Sequence, residues 1–254
     1  MTVKELYARM TARIPESLRE SWDNDGIMCA PDLSADVHRV LLSLDVTEEV
    51  VDYAIENDFD LIISHHPLIF RPLAAFSEDN PCGRKLLKLS SNGITVFSFH
   101  TRADKVDGGV NDLLADTLDL HNVEKFGEGD LGRIGELDEE ITLDDFAMLA
   151  REALGAPAVL VADGFNPVHK VAVVGGDGKD FIADALAAGA DTFLSGRLSY
   201  NTMAEAGELG INLIEAGHYY TECRITEFFL GLVSRFVPDA FIEVADSNLL
   251  RMIN

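Results

Sequence analysis

The chain has 254 residues, enough for one large domain or two modest lobes, and its 47% hydrophobic and 25% charged residues are those of an ordinary globular protein. Its 20 basic and 44 acidic side chains leave a formal charge of −24, which repels phosphate backbones and anionic membranes and argues against nucleic-acid and membrane partners. No apolar run approaches the roughly 20 residues that span a bilayer, and the opening "MTVKELYARM" lacks the pattern of a signal peptide, so a cytoplasmic protein is expected.

In chain order, "VKELYARMTARIP" has apolar positions at helical spacing. "HRVLLSLDVT" (His38–Thr47) reads as a strand, and "TEEVVDYAIENDF" as a helix capped by Thr47. "DLIIS" is a second strand, "GRKLLKLSSNG" a helix ending at a glycine, "ITVFSFH" (Ile94–His100) a third strand, and "GGVNDLLADTLDL" a helix. The second half repeats the rhythm. "LDDFAMLAREALG", "KDFIADALAAGA", "YNTMAEAGELG" and "YYTECRITEFFLGLVSRF" read as helices; "AVLVAD", "KVAVVGG", "DTFLSG", "INLIEAG" and "AFIEVAD" read as strands. The alternation predicts an α/β fold: two lobes of mostly parallel strands alternating with helices, with a metal site at strand carboxyl ends between them. The acidic, glycine-bearing stretch Lys125–Glu140 is the expected boundary. Residues 1–125 would form the first lobe and 126–254 the second, with about 205–254 packing back on the first lobe to complete the metal site.

Cys29, Cys82 and Cys223 are odd in number and lack CxxC spacing, so neither a disulfide framework nor a zinc ribbon is indicated. Many carboxylates with only seven lysines fit a chain adapted to a high-salt cytoplasm, where salt screens self-repulsion. That hypothesis fails if the melting temperature does not rise between low and molar KCl.

The chemistry concentrates where strands end. In open α/β sheets sites form beyond the carboxyl ends of strands, and "DLIISHHPLIF" runs a buried strand straight into His65, His66 and Pro67. Alone, the pair reads equally as two hydrogen-bonded loop histidines. "FSFHTRAD" ends the next strand in His100 with Asp104 four residues on, and "EAGHYYTE" places His218 and Glu222 at i and i+4, on one face of a helix. Three strand ends that each deliver a histidine, two of them with a carboxylate, exceed the needs of one tetrahedral ion and suit two ions sharing a bridging carboxylate. Imidazole and carboxylate without thiolate favour two divalent ions from among Zn, Mn, Fe, Co and Ni. His38, His121 and His169 lie outside these positions and read as structural or exposed.

The ordered set "WDNDGIM", "SHHPLIF", "HTRADKVDGGVND", "GGDGKDFIADALAAGADTFLSG" and "EAGHYYTE" resembles the GTP cyclohydrolase 1 type 2 homologue family over about Trp22 to Glu222. The resemblance implies two α/β lobes, a ring-shaped homohexamer and a dinuclear metal site facing a central cavity. It implies His65, His66, Asp104, His218 and Glu222 as ligands, with Glu222 as the bridge. It adds His100 as a sixth ligand or as a residue beside the ligands. The sequence departs from the family pattern in "SGRLSYN", where Arg197 replaces an acid and Asn201 a histidine. Chemistry that relies on that histidine is not carried over to this chain.

Two further stretches carry alternatives. "VVGGDGKD" (Val173–Asp180) is either a structural tight turn or a set of backbone amides that cradles a phosphate, and it completes neither GxGxxG nor a Walker A loop. In "WDNDGIM", Asn24 and Asp25 are site candidates through the family loop, whereas Trp22 reads as core. The expected function is that of a metal-dependent (cyclo)hydrolase of unestablished substrate, two ions activating water while Glu222 moves protons; the family name suggests a small nucleotide-like molecule as its partner. The alternative is a non-catalytic metal-binding or partner-binding homo-oligomer. An open coordination position with organised polar groups around it separates the two.

Overall fold

Thr2 opens the first helix, Val3–Arg13: its hydroxyl accepts from the Glu5 amide while the Glu5 carboxylate takes the Thr2 N–H. This reciprocal capping satisfies two backbone donors that the helix itself cannot. Val3, Leu6 and Met10 face inward, so the helical spacing seen in the sequence is the buried stripe. The same logic starts the helix Glu48–Glu56, where Thr47 accepts from the Val50 amide at 3.2 Å. The protein is described here by a computed structural model over residues 1–253.

Two compact units divide the chain, and unit 1 holds Met1–Val106 together with Ile225–Leu250. It begins with strands β1 (Gly26–Cys29), β2 (Arg39–Ser43), β3 (Leu61–Ser64) and β4 (Thr95–Ser98). The chain then builds unit 2, centred on Asp107–Arg224, with β5 (His121–Phe126), β6 (Gly132–Ile141), β7 (Leu160–Ala162), β8 (Val168–Asp177), β9 (Thr192–Arg197) and β10 (Asn212–Glu215). It returns to unit 1 with the helix Ile225–Phe236 and β11 (Phe241–Val244).

The sheet of unit 1 runs β1-β4-β3-β2-β11. All its pairings are parallel except that of β1 with β4. Parallel strands covered on both faces read as continuous apolar runs, and every residue of β3 and β4 is buried. Leu41, Leu42, Ile62, Ile63, Val96 and Phe97 lose all their exposure. Each such side chain stabilises the fold by about 1.5–3 kcal/mol before entropy is subtracted.

The sheet of unit 2 runs β5-β6-β8-β9-β10-β7. Along its central strands successive side chains enter two separate cores. Val171, Val173, Leu194 and Ile214 pack with the helices Val110–Thr117 and Leu143–Leu154, while Ala172, Val174, Phe193 and Leu213 pack with the helix Ile182–Ala187. This is the two-residue period of a strand written into a three-layer unit.

The α/β fold with alternating strands and helices is as expected, and the structure differs from the sequence reading in detail. Unit 2 is a mixed sheet: β8–β9 and β9–β10 are parallel, whereas β5–β6, β6–β8 and β7–β10 are antiparallel. Lys125–Glu140 is not a boundary, because it forms the turn and second strand of the β5–β6 hairpin inside unit 2. Its glycines serve left-handed turn positions (Gly127 φ 79°, Gly129 φ 66°), and its acids line an exposed strand end. The division falls after Val106 and again after Arg224. Finally, "YYTECRITEFFLGLVSRF" is two helices, His218–Glu222 and Ile225–Phe236, one in each unit, and "GIMC" is the short strand β1, missed because only two of its residues are buried. Cys29, Cys82 and Cys223 are all free thiols, and among the described residues no helix is long and apolar enough to cross a membrane.

Candidate metal centre

In unit 1, β3 and β4 are parallel neighbours in register, with Ser64 opposite Ser98 and their hydroxyls 2.9 Å apart. The residues that follow each strand therefore emerge side by side, and this is what brings His65, His66 and His100 together. One ring nitrogen from each lies within 4.8 Å of the others, and the ring centroids are 4.9, 5.2 and 5.6 Å apart. Asp104, one helical turn beyond His100 in the short helix Thr101–Lys105, presents Oδ1 3.4 Å from His65 Nε2.

Each imidazole is anchored through its other nitrogen. His65 Nδ1 lies 2.9 Å from the Phe99 carbonyl, which can only accept, so Nδ1 carries the proton and the lone pair sits on Nε2. His66 Nδ1 is 2.7 Å from Asp45 Oδ1 and His100 Nδ1 is 2.8 Å from Asp23 Oδ1. A histidine that donates one ring N–H to a carbonyl or carboxylate while aiming the other nitrogen at a common point is the arrangement metal-binding histidines use. The carboxylates are held in turn. Ser247 donates its hydroxyl to Asp45 Oδ2 (3.3 Å) and accepts the Asp45 N–H (3.1 Å). Asp23 Oδ2 accepts from the Thr101 amide and hydroxyl at 3.0 and 2.7 Å.

Electrostatics follow from these contacts. Burial works against an ionised Asp23, but the hydrogen bond from His100 and those from Thr101 overcome it and hold the carboxyl at about 2. Burial likewise disfavours a charged His100, yet the Asp23 hydrogen bond and the Asp104 charge raise its pKa. A protonated imidazole must lose that proton to bind an ion, so protons compete with metal here.

The loop before β1 is a brace. Burial raises the Asp25 carboxyl against the opposing Arg102 guanidinium, whose Nε is 2.8 Å from Oδ2; the same oxygen accepts the His100 amide at 3.2 Å. Asn24 donates its side-chain amide to the Ile69 carbonyl. Neither Asn24 nor Asp25 is one of the converging donors. Trp22, read as core, is instead 61% exposed, because its turn lies outside the sheet and, among the described residues, no apolar layer covers it. Its ring centroid is 6.2 Å from that of His100.

In unit 2, His218 and Glu222 begin and end a short helix, with Nε2 3.0 Å from Oε2. The expected shared face is present, and Glu222 is buried, so the pair is more than an exposed helix-stabilising contact. Glycines give this helix its position. A Cβ added at Gly176 would sit 3.1 Å from His218 Nε2 and collide with Glu222 Oε1; one at Gly196 would lie 2.8 Å from the His218 Cα. The glycine-rich turn is therefore structural. Its three glycine amides are already used: Gly175 donates to Asn111 Oδ1 (2.7 Å), Gly176 to Thr221 Oγ1 (3.1 Å) and Gly178 to Ser195 Oγ (2.9 Å), so these three do not cradle a phosphate.

Arg197 ends β9 opposite Asp177 and is exposed, as is Asn201 in the helix Tyr200–Ala204. His121 is exposed 3.5 Å from Asp138, and His38 is exposed as well. His169 is half-buried, its amide donating to Asp191. Sequence reasoning missed Asp23, Asp45 and Ser247. Asp45 carried a signal, an acid just past the carboxyl end of β2 beside the strand bearing His65, whereas Ser247 carried none.

The family model described as Duf34/NIF3 (NGG1p interacting factor 3) matches residues 1–248. The "GTP cyclohydrolase 1 type 2 homolog" of Clostridium perfringens is 36% identical over 215 residues, 82% of each chain. The "Protein NIF3 homolog" of Schizosaccharomyces pombe is 35% identical over 223 residues, 81% of this chain and 79% of that one. The crystal structure of a Bacillus cereus protein related to NIF3 superposes with a TM-score of 0.89 at 25% identity, covering 100% and 99% of the two chains.

Proposed function

We propose, from the premise that this chain belongs to the Duf34/NIF3 family, that it holds two divalent metal ions and is a metal-dependent hydrolase of the GTP cyclohydrolase 1 type 2 homologue kind. The observation that carries the reading is the trio His65, His66 and His100, converging with each Nδ1 anchored to an oxygen. The donor chemistry fits: four imidazoles and two carboxylates, without thiolate, suit Zn, Mn, Fe, Co or Ni rather than Ca or Mg. In unit 2, His218 and the buried Glu222 offer the same donor types, an imidazole and a carboxylate 3.0 Å apart.

Two such ions, when bound, supply Lewis acidity toward an electrophile and acidify water. The chain's own groups do the rest. The Phe99 carbonyl, Asp45 and Asp23 fix which nitrogen of each histidine faces inward, and Glu222, 3.0 Å from His218, is placed to take and return a proton at its carboxylate. The substrate class we assign is a small nucleotide-like molecule, the assembly a homohexamer and the location the cytoplasm. Arg197 and Asn201, in place of an acid and a histidine, favour a second reading in which the same donors hold ions without catalysis.

Elemental analysis of protein purified without added metal or chelator tests the proposal. About two ions per chain are expected, with at least one lost in Glu222→Ala. No metal after reconstitution with Mn, Fe, Co, Ni and Zn refutes both readings. Metal without hydrolysis of any nucleotide in a screen leaves the second.

A further inference from the structure

We propose that Trp22 and Phe70 form an aromatic corner beside the metal centre that stacks a planar heteroaromatic ring of the molecule brought there. The inference rests on the metal-centre reading above and adds the chemical class of its ligand and two residues that select it.

Trp22 and Phe70 are large apolar side chains left 61% and 46% exposed, although each would gain by burial. They are not scattered. Their ring centroids are 6.3 Å apart, and they lie 6.2 and 6.0 Å from the ring of His100. The interplanar angles are 73°, 77° and 89°, so the three rings stand nearly perpendicular to one another. Such a corner lets a flat ring lie face-on against one wall with its edge toward another, the two arrangements aromatic quadrupoles favour.

The corner is also fixed in place. Asn24, two residues after Trp22, donates to the carbonyl of Ile69, the residue before Phe70, tying the two loops together. His100 is held by Asp23, the residue next to Trp22. The spacing of both aromatic rings from the donor set is thus built in, a requirement for recognition without a large ordering cost.

Charge points the same way. A chain of net charge −24 gains little from long-range attraction of phosphates, whereas stacking depends on the face of the ring and tolerates any base. The anion of a nucleotide would be met by the ions, and its ring by the corner.

Trp22 is the sole tryptophan, so its emission reports on the corner directly. Protein loaded with metal is titrated with GMP, AMP, a pterin and a flavin, and with ribose 5-phosphate as the ringless control. Saturable quenching by at least one ring compound and none by ribose 5-phosphate is expected. Calorimetry should show affinity for that compound falling about tenfold in Trp22→Ala and in Phe70→Ala, with Trp22→Phe retaining most of it. Metal content should be unchanged in all three variants. The proposal is overturned if no ring compound quenches, if ring-bearing and ringless compounds bind alike, or if the variants bind as the parent does. It is equally overturned if sedimentation shows Trp22→Ala dissociating an assembly, which would make the corner a contact between copies. Ring binding to protein that holds no metal would keep the corner and sink the metal reading, so the two failures are distinguishable.

Discussion

Gly176→Ala is the substitution that most directly probes how unit 2 positions His218 and Glu222. Gly176 has φ 66°, where an L-residue costs about 1–2 kcal/mol. The new methyl group would also meet Glu222 Oε1 and stand 3.1 Å from both the Glu222 carboxyl carbon and His218 Nε2. Overpacking of that kind costs about 1–3 kcal/mol, for a total of roughly 2–5 kcal/mol. Gly155 is the matched control: its φ is 65°, but nothing lies within 4 Å of an added Cβ, so Gly155→Ala registers the backbone cost alone. At about 2–4 °C per kcal/mol for a chain of this size, Gly176→Ala should melt clearly below Gly155→Ala. Relief of the clash requires Glu222 to swing, so Gly176→Ala should also lose bound metal while Gly155→Ala keeps it. Thermal melts and elemental analysis of the two variants decide the matter. Equal melting temperatures with equal metal content would show that the glycine does not set the position of Glu222.

Asp45→Ala removes the acceptor that orients His66, and the loss of such an orienting partner typically lowers metal affinity about 10–100-fold; competition with a chromophoric chelator measures it. Ser247→Ala loosens Asp45 without removing it and should give a smaller loss in the same assay. Hydrogen bonds from Arg84 and from Lys88 hold the half-buried Glu48 carboxyl down to about 2, against an ordinary value of 4.5. A carboxylate depressed on folding contributes stability above its unfolded pKa and loses it as pH falls through the folded one. The difference in urea midpoint between the parent and Glu48→Gln should therefore be constant above pH 4.5 and vanish toward 2. A difference that grows on acidification would refute the assignment. Thr2→Ala removes a capping hydroxyl and should cost about 1 kcal/mol in the same urea experiment.

Most helices were legible because their caps and apolar spacing are local: Thr2, Thr47 and Gly155 all stand where the sequence pattern puts an end. The convergence of His65, His66 and His100 was legible because histidines at neighbouring strand ends carry a short-range signature. Strand direction was not. "GRIGELDEE" has the same composition whether it is a linker or the second arm of a hairpin, and only pairing with β5 and β8 distinguishes them. The break between Glu222 and Ile225 was hidden for a related reason, since every residue there tolerates a helix and the division between units decides where it stops. Trp22 misled because burial of an isolated tryptophan is a tendency of the residue type, whereas its surroundings are set by residues 48 to 78 positions away. Ser247 reaches Asp45 across 202 positions, a separation no local pattern reports.

The discontinuity of unit 1 governs how the chain matures during synthesis. Both the sheet and the cores of unit 2 lie within one run, Asp107–Arg224, so they can close on the ribosome while the rest is still being made. Unit 1 must wait. Its outer parallel strand, β11, joins β2 across some two hundred residues, and loop-closure entropy makes such pairings late. The hydroxyl that steadies Asp45 arrives three residues after that strand. His66 is thus translated among the first third of the chain and gains its last support among the final ten residues. The His66 imidazole is present in a nascent chain long before it is rigidly aimed, and its orientation is fixed only once Ser247 has been made.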